Sequence, residues 1–180
     1  MSTVDSQANL LGAFAQVVTD RVEGAVTGAS GQSPSAAAAL SALHHFLDRP
    51  TLDRLRQVLG LTPSGAVRLV DRLAEAGLVR RGPGADGRSR SIGLTPAGRR
   101  VAARVSAARA GALRDALAVL SPAERGTLHT LLGRVMAGIV MAKEGGAWIC
   151  RLCDTTSCGR AEGHCPTANA AMAKYGLDRS

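Results

Sequence analysis

Residues 52–98 constrain the fold of this chain more strongly than any other part of its sequence. Residues 52–77 read as two short amphipathic helices, and Gly60 between them predicts a turn. A basic, glycine-rich segment follows from Leu78 to Leu94 and reads as a β-hairpin. Two short helices followed by such a hairpin are typical of a winged helix-turn-helix, which inserts one helix into the DNA major groove and contacts the flanking DNA with the wing.

The second of these helices has a clear start and a clear outer face. Thr62 supplies a capping hydroxyl, and Pro63 occupies the first helical position, which suits its fixed backbone angle. Helical spacing predicts an inward face formed by Leu61, Val67, Val70 and Leu73. The same spacing leaves an outward face formed by Ser64, Gly65, Arg68 and Arg72. This outward face is therefore the candidate surface for reading DNA.

The positive charge of the chain is concentrated on the same segment. Residues 51–110 contain twelve arginines and four acidic residues, which gives this segment a net charge of +8. The rest of the chain has ten basic and ten acidic residues, so the whole formal charge of +8 lies on this segment. A localised positive charge is expected of a protein that binds phosphates, because neutralising them releases counterions. A merely soluble protein would spread its excess charge more evenly.

Composition argues against several other classes of protein. A length of 180 residues fits one compact domain with a small appendage. The longest apolar run, residues 135–142, falls far short of the roughly 20 residues that a membrane span requires. The chain does not begin with a basic stretch followed by an apolar block, so we predict a cytoplasmic protein. The sequence offers no nucleophile–base pair, phosphate-binding loop or paired carboxylates, and we predict that the protein is not an enzyme.

Long helical patterns flank the winged segment on both sides. An amphipathic helix is predicted over residues 6–27, and two long helices follow the hairpin. Their apolar faces exceed what the winged segment can cover, so pairing with a second copy of the chain is expected. We therefore divide this mainly α-helical chain into N-terminal helices (1–50), a winged helix-turn-helix with a two-stranded wing (51–98), C-terminal dimerisation helices (99–146) and a cysteine-rich tail (147–180).

Two stretches of the sequence resemble the MarR family of winged helix-turn-helix regulators. The first runs from Leu61 to Arg80, and the second is the wing signature DGRSRSIGLTPAG from Asp86 to Gly98. The resemblance covers about residues 6–143 and implies a homodimer with interlocking first and last helices, bound to a palindromic DNA operator. Family members usually act as repressors that a small ligand or thiol oxidation releases. Residues 150–180 have no counterpart in the usual family pattern.

The candidate DNA contacts on the second helix differ in kind along its length. Thr62 and Ser64, at the helix N-terminus, suit phosphate contact through their hydroxyls and the nearby backbone amides. Gly65 would let the helix approach the groove closely. Arg68 is the best candidate for a base contact because its guanidinium can pair with guanine, whereas Arg72 equally suits the DNA backbone.

The wing supplies the remaining candidate contacts. Arg88 and Arg90 flank the wing, and the family resemblance implies that a wing arginine enters the minor groove. Asp71, on the second helix, is expected to pair with a wing arginine. Such a pair would hold the wing against the helix.

The cysteine tail carries a candidate metal or redox site. All four cysteines of the chain, Cys150, Cys153, Cys158 and Cys165, fall within sixteen residues, and His164 is an alternative fourth ligand. The CxxC spacing and the short, turn-rich loops are close to those of compact zinc sites, which we prefer. The Cys-Pro ending and the all-sulfur donor set also suit an iron–sulfur cluster. Reversible disulfide chemistry without a metal is the third interpretation.

Two other functions fit parts of the sequence less well. A redox or electron-transfer iron–sulfur protein could use the winged segment as a scaffold, but a scaffold does not need a localised charge of +8. An RNA-binding zinc-knuckle protein would need aromatic side chains for base stacking, and the chain has only four. His44 and His45 either line a pocket for a small effector or form a surface or capped core pair, which we prefer. The sequence thus favours a homodimeric DNA-binding transcriptional regulator, expected to repress, with a metal- or redox-responsive tail.

Overall fold

The computed structural model of the chain describes residues 3–84, 90–142 and 147–176. These residues form a mainly helical fold with one antiparallel hairpin, which confirms the predicted winged helix-turn-helix with a two-stranded wing. The elements in chain order are α1 (Thr3–Ser30), α2 (Pro34–His45), α3 (Leu52–Leu59), α4 (Pro63–Glu75), β1 (Val79–Pro83), β2 (Arg90–Leu94), α5 (Pro96–Leu117), α6 (Pro122–Ala142), a short 3-10 helix (Ala147–Cys150) and α7 (Pro166–Tyr175). None of the described helices combines the length and the apolar character needed to cross a bilayer.

Local capping signals set the boundaries of the two short helices. The Thr51 hydroxyl caps α3 by accepting a hydrogen bond from the Arg54 amide at 3.2 Å, and Gly60 ends the helix with a left-handed φ of 66°. The Thr62 hydroxyl caps α4 in the same way, accepting from the Gly65 amide at 3.2 Å. A threonine cap stabilises a helix by about 1 kcal/mol, so these boundaries follow from residues within one turn of them.

The wing is attached to the start of the helix-turn-helix. Strands β1 and β2 pair antiparallel, with Pro83 opposite Arg90 at the outer end of the described hairpin. Thr51, which caps α3, also forms a bridge with Ser91 of β2. The cap of the first short helix therefore lies directly against the wing, and this contact fixes the wing relative to α3.

The inward face of α4 differs from the prediction at three positions, because it includes Ala66 and Leu69 and leaves out Val67. Ala66, Leu69, Val70 and Leu73 are buried in the core, whereas Val67 is 41% exposed. The prediction that Val67 faces inward was therefore wrong. Residue 67 follows the buried Ala66 by one step, and each step rotates the side chain by about 100° around the helix axis. Val67 consequently adds an apolar side chain to the edge of the outer face.

A close backbone contact joins the winged region (residues 51–98) to α5. The Thr95 amide donates to the Leu78 carbonyl at 3.0 Å, and the Thr95 hydroxyl donates to the Gly77 carbonyl at 2.7 Å. A Cβ atom added to Gly98 would lie 1.9 Å from the Leu78 carbonyl oxygen. Only glycine therefore permits the first turn of α5 to pack against the exit of α4, and this packing sets the position of the winged region on the long helix.

The two terminal long helices carry apolar side chains that the single chain leaves exposed. In the described part of α6, Val140 is the one buried residue. The exposed large apolar residues of the two helices are Val4, Leu10, Leu11, Phe14 and Val17 on α1, and Leu131, Leu132, Val135, Ile139 and Met141 on α6. By contrast, the second half of α1 packs on α5 and contributes Val22 and Val26 to the core. Both helices lie in segments that the sequence analysis assigned to dimerisation, which remains a prediction.

The cysteine tail packs against two separate parts of the fold. Its helix α7 lies on α6, where Pro166 Cγ is 3.2 Å from the position that a Cβ on Gly133 would occupy. The Lys174 Nζ atom donates to the Val140 carbonyl of α6 at 3.1 Å. At its other end, the 3-10 helix contacts α3, and Leu152 packs against the central core. The tail is therefore integrated with both the winged region and the last long helix.

Candidate DNA-binding surface and cysteine cluster

The outer face of α4 presents the polar residues that the sequence analysis selected. Thr62 and Ser64 are exposed at its N-terminus, where the first amides of a helix lack intrahelical partners. Arg68 and Arg72 are also exposed and are one turn apart, because side chains four residues apart share a helix face. The surface therefore combines hydroxyls at the positive end of the helix dipole with two guanidinium groups farther along it.

Gly65 has a structural role in addition to the predicted close approach to the groove. A Cβ atom at this position would lie 3.0 Å from the Thr62 hydroxyl, which accepts the Gly65 amide proton. A side chain there would crowd the cap that starts α4. The approach of Gly65 to DNA remains a prediction, and the structure adds a local reason for glycine.

Asp71 pairs with an arginine of the wing, as the sequence analysis expected. Its carboxylate accepts a hydrogen bond from Arg81 Nη2 of β1 at 2.6 Å, and the two side chains are 41% and 39% exposed. Solvent screening limits the stability that such a pair contributes to about 1 kcal/mol or less. Its main effect is geometric, because it connects α4 to the wing.

The outer part of the wing is only partly described. Arg90 is exposed at the start of β2, whereas Arg88 lies outside the described residues. The opposite strand is held by Arg49, whose Nη2 atom donates to the Pro83 carbonyl at 3.2 Å. Arg49 has an unusual φ of 44°, and Ser91 also donates to the Pro83 carbonyl, at 2.9 Å. These contacts hold the outer end of the described hairpin in place.

A basic cleft of about 540 Å³ lies between the end of α2 and the wing. Its charged walls include Arg49, Arg80, Arg81 and Arg99, with Asp48 as the acidic residue. His44, which the sequence analysis considered for an effector pocket, lines this cleft. The excess of guanidinium groups makes the cleft part of the positive surface around the wing.

A second cleft of about 510 Å³ separates the winged region from the cysteine tail. Glu23 of α1, Ser35 of α2 and Gln57 of α3 line it on one side, and Arg151 and Leu152 of the tail line the other. The cleft offers both apolar and hydrogen-bonding walls, a combination typical of small-molecule sites. It is a candidate position for an effector, and sequence reasoning missed it because its walls come from four distant segments.

The four cysteines are half-buried and have free thiols. Cys150 interacts most strongly with Cys153, and Cys158 with Cys165, while weaker electrostatic interactions connect the two pairs. The Cys150 thiol donates a hydrogen bond to Cys153, which raises the pKa of Cys150 together with burial. The same bond, aided by nearby Arg109, lowers the pKa of Cys153 to about 6 despite burial. Burial, followed by the neighbouring Cys165, raises the pKa of Cys158. The arrangement therefore favours one thiolate beside one protonated thiol in the CxxC pair.

The donor chemistry of the cluster suits a soft metal, but the described thiols are not yet gathered around one point. Four sulfur ligands without a competing carboxylate are the donor set of structural zinc sites and iron–sulfur clusters. Among the described side chains, no group of three or more His, Cys, Asp or Glu residues is arranged to hold a metal ion. His164, the alternative ligand, is exposed and its Cβ lies 2.9 Å from the position of an added Cβ on Gly159. Joining the two thiol pairs would complete a four-sulfur site.

His45 connects the cysteine tail to the helical core. Its Nε2 atom lies 2.7 Å from the Ser106 hydroxyl of α5, and its Nδ1 atom lies 3.5 Å from the Asp154 carboxylate. The Thr155 hydroxyl donates to the His45 carbonyl at 3.0 Å. Burial lowers the pKa of His45, and the nearby Asp154 carboxylate opposes this effect. Sequence reasoning had no signal for this contact, because 110 residues separate Thr155 from His45.

Comparisons with known proteins agree with this geometry. Residues 30–89 match the MarR family model, and the match includes α3, α4 and β1 but ends before the cysteine tail. A MarR family protein from Bacillus stearothermophilus has a similar structure, with a TM-score of 0.68 and 24% identity over 77% of this chain and 98% of that chain. A search of curated proteins found no match.

Two further solved structures extend the comparison. A probable transcriptional regulator from Pseudomonas aeruginosa is 29% identical, with a TM-score of 0.55 over 69% of this chain and 95% of that chain. CouR from Rhodococcus jostii RHA1, solved with bound p-coumaroyl-CoA, is 23% identical, with a TM-score of 0.57 over 75% of this chain and 94% of that chain. These neighbours are covered almost completely, whereas about a quarter or more of this chain lies outside each alignment.

Proposed function

We propose that this chain is a DNA-binding transcriptional regulator that acts as a homodimer on a palindromic operator. Its residues 30–89 match the MarR family model, and its fold is that of MarR-family regulators. The observation that carries the proposal is the exposed polar face of α4, joined to the wing by the Asp71–Arg81 pair. The whole net charge of +8 lies on the segment that contains this face. A localised charge around an exposed helix is the electrostatic footprint expected of a DNA-binding surface.

Each part of this surface has a proposed task. Thr62 and Ser64 bind a phosphate through their hydroxyls and the amides of the first turn. Arg68 reads a base edge in the major groove, and Arg72 holds the DNA backbone one turn farther along. Arg90, together with Arg88 of the wing, reaches the neighbouring minor groove. Binding to phosphates supplies affinity, whereas the Arg68 contact supplies sequence preference.

The homodimer is supported by the exposed apolar faces of α1 and α6. Phe14 and Val17 on α1, and Val135 and Ile139 on α6, are each more than 40% exposed in the single chain. Pairing two copies would remove these side chains from water, a gain of roughly 25 cal/mol for each Å² of apolar surface buried. A two-fold dimer would also place two copies of α4 about one DNA turn apart, which a palindromic operator requires.

We propose that the protein represses transcription, and that a small effector or a change in the cysteine tail releases it from the operator. The cleft between Glu23, Gln57 and Arg151 is a suitable effector site, because a ligand there would touch α3 of the winged region. The solved structure of CouR contains p-coumaroyl-CoA, so a protein of this fold can bind an organic ligand. The cysteine tail adds a second input, which we propose responds to a metal ion or to redox state.

Salt dependence tests whether the basic surface binds duplex DNA. The logarithm of the affinity for a palindrome upstream of the protein's own gene should fall with the logarithm of the salt concentration, by about 0.9 for each phosphate contacted. Arg90→Ala should weaken binding and reduce that slope. Arg125→Ala is the matched control, because this exposed arginine lies on α6 outside the winged region. Salt-independent binding, or equal effects of both variants, would contradict the proposal.

A second experiment separates sequence preference from affinity. Arg68→Ala should cost about 1 to 3 kcal/mol on the preferred operator and relax the preference at one base pair in each half-site. Thr62→Ala should weaken binding to all sequences by a similar factor, because phosphates carry no sequence information. Binding measured against a set of operators with single base-pair changes distinguishes the two. Uniform weakening by both variants would show that the α4 surface is assigned wrongly.

A further inference from the structure

The cysteine tail bridges the winged region and α6 through contacts that no local sequence signal predicts. Its Thr155 hydroxyl bonds the His45 carbonyl at the end of α2, and its 3-10 helix contacts α3. At the other end, Pro166 packs on Gly133, and the Lys174 Nζ atom donates to the Val140 carbonyl of α6. The four cysteines belong to the same short segment, in which Cys150 ends the 3-10 helix and Cys165 precedes α7. A change in their arrangement would therefore act on both neighbours.

The loop between the two cysteine pairs is the part of the tail that contacts His45. Cys153 precedes this loop and Cys158 follows it. Within the loop, the Asp154 carboxylate accepts from the Ser157 hydroxyl at 2.7 Å and lies 3.5 Å from His45 Nδ1. Drawing the two thiol pairs together would close this loop and restrict the movement of the groups that touch His45. The geometry thus links the state of the cysteines to the end of α2 and to α3.

We propose that Cys150, Cys153, Cys158 and Cys165 bind one Zn²⁺ per chain, and that the bound ion locks the winged region to α6. The metal half of this inference is independent of DNA binding, whereas its regulatory half rests on the proposed function. Zinc binds the four sulfurs as thiolates, so each thiol that is still protonated releases its proton to solvent, and no atom is oxidised or reduced. Because α6 carries an exposed apolar face assigned to the dimer, locking α3 to α6 fixes the distance between two DNA-facing helices.

Metal titration of the full-length dimer tests the site. Co²⁺ added anaerobically to the reduced apoprotein should produce sulfur-to-cobalt charge-transfer bands that saturate at one ion per chain, and Zn²⁺ should displace it. Cys158→Ser should remove one sulfur ligand and weaken binding by at least about tenfold. Thr156→Ala is the matched control, because this exposed residue uses only its backbone amide to bond Asp154. Less than about 0.2 metal per chain, or a brown protein containing iron and sulfide, would overturn the zinc assignment.

A decoupling variant tests the link to the winged region. Thr155→Val keeps all four cysteines but removes the hydroxyl that bonds the His45 carbonyl. In the wild type, Zn²⁺ should slow hydrogen exchange in Leu52–Leu59 and change operator affinity by about tenfold. The variant should bind one Zn²⁺ per chain and lose most of both responses.

The outcomes separate this inference from the proposed function. Full responses in Thr155→Val, or no effect of Zn²⁺ on exchange in the wild type, would overturn the locking role. Absence of operator binding in every metal state would instead contradict the proposed function. Metal stoichiometry and hydrogen exchange would then still decide whether zinc locks the tail to the winged region.

Discussion

Replacing Gly98 by alanine should weaken the packing of the winged region against α5. The added Cβ atom would lie 1.9 Å from the Leu78 carbonyl oxygen, whereas real Cβ atoms essentially never approach within 3.0 Å. The backbone must therefore move by at least about 1.1 Å. The Leu78 carbonyl cannot move freely, because it also accepts the Thr95 amide proton at 3.0 Å.

The change in the free energy of unfolding follows from two destabilising contributions and one stabilising contribution. Overpacking costs about 1 to 3 kcal/mol, and loss of the Thr95–Leu78 hydrogen bond costs about 1 kcal/mol more. The higher helix propensity of alanine stabilises the folded state by up to about 1 kcal/mol. The net loss in the free energy of unfolding should be about 2 kcal/mol, which lowers Tm by about 4 to 8 °C for a chain of this size.

Thermal unfolding at a fixed protein concentration checks this value, since the proposed dimerisation would make Tm depend on concentration. Gly111→Ala is the matched control, because it lies in the same helix and a Cβ there meets nothing within 4 Å of the single chain. Gly98→Ala should also weaken operator binding more than Gly111→Ala does. A Gly98→Ala protein as stable as the wild type would refute the argument that this close approach positions the winged region.

Two further predictions concern the ion pairs of the fold. Asp71→Asn should lower the free energy of unfolding by less than about 1 kcal/mol yet weaken operator binding severalfold, because the 2.6 Å contact to Arg81 aligns α4 and the wing. Asp53→Asn, which breaks the Arg56 pair on α3, is its control in DNA titrations, and equal effects would argue against alignment. Burial lowers the pKa of His45, so the folded state binds this proton less tightly than the unfolded state. Stability should therefore be full above a pH of about 6.5 and fall below it, and His45→Gln should flatten this decline in thermal melts between pH 7.5 and 5.5. An unchanged pH profile in that variant would show that another group controls the decline.

The winged region could be predicted because its signals are local. Thr51, Thr62 and Thr95 each accept a hydrogen bond from an amide three residues ahead, and Pro63 and Pro96 each follow a cap. A chain segment needs only one turn to express such preferences, so the sequence indicates where each helix begins. The pairing of Asp71 with a wing arginine could also be predicted, because the wing directly follows α4 in the chain and lies beside that helix. Val67 was misassigned, since periodicity does not resolve the edge of a buried face.

The contacts that decide how the parts of this protein influence one another belong to the tertiary structure alone. The sequence by itself determined the mainly helical winged fold, the placement of positive charge and the grouping of four cysteines. It did not determine that Thr155 bonds the His45 carbonyl, that Gly98 meets the Leu78 carbonyl, or that Pro166 packs on Gly133. The residues in these contacts are far apart along the chain or share no pattern. They meet only after burial of the common core has fixed the helices. The hydrophobic effect that drives this burial is not directional, so no local pattern specifies which of these residues will meet.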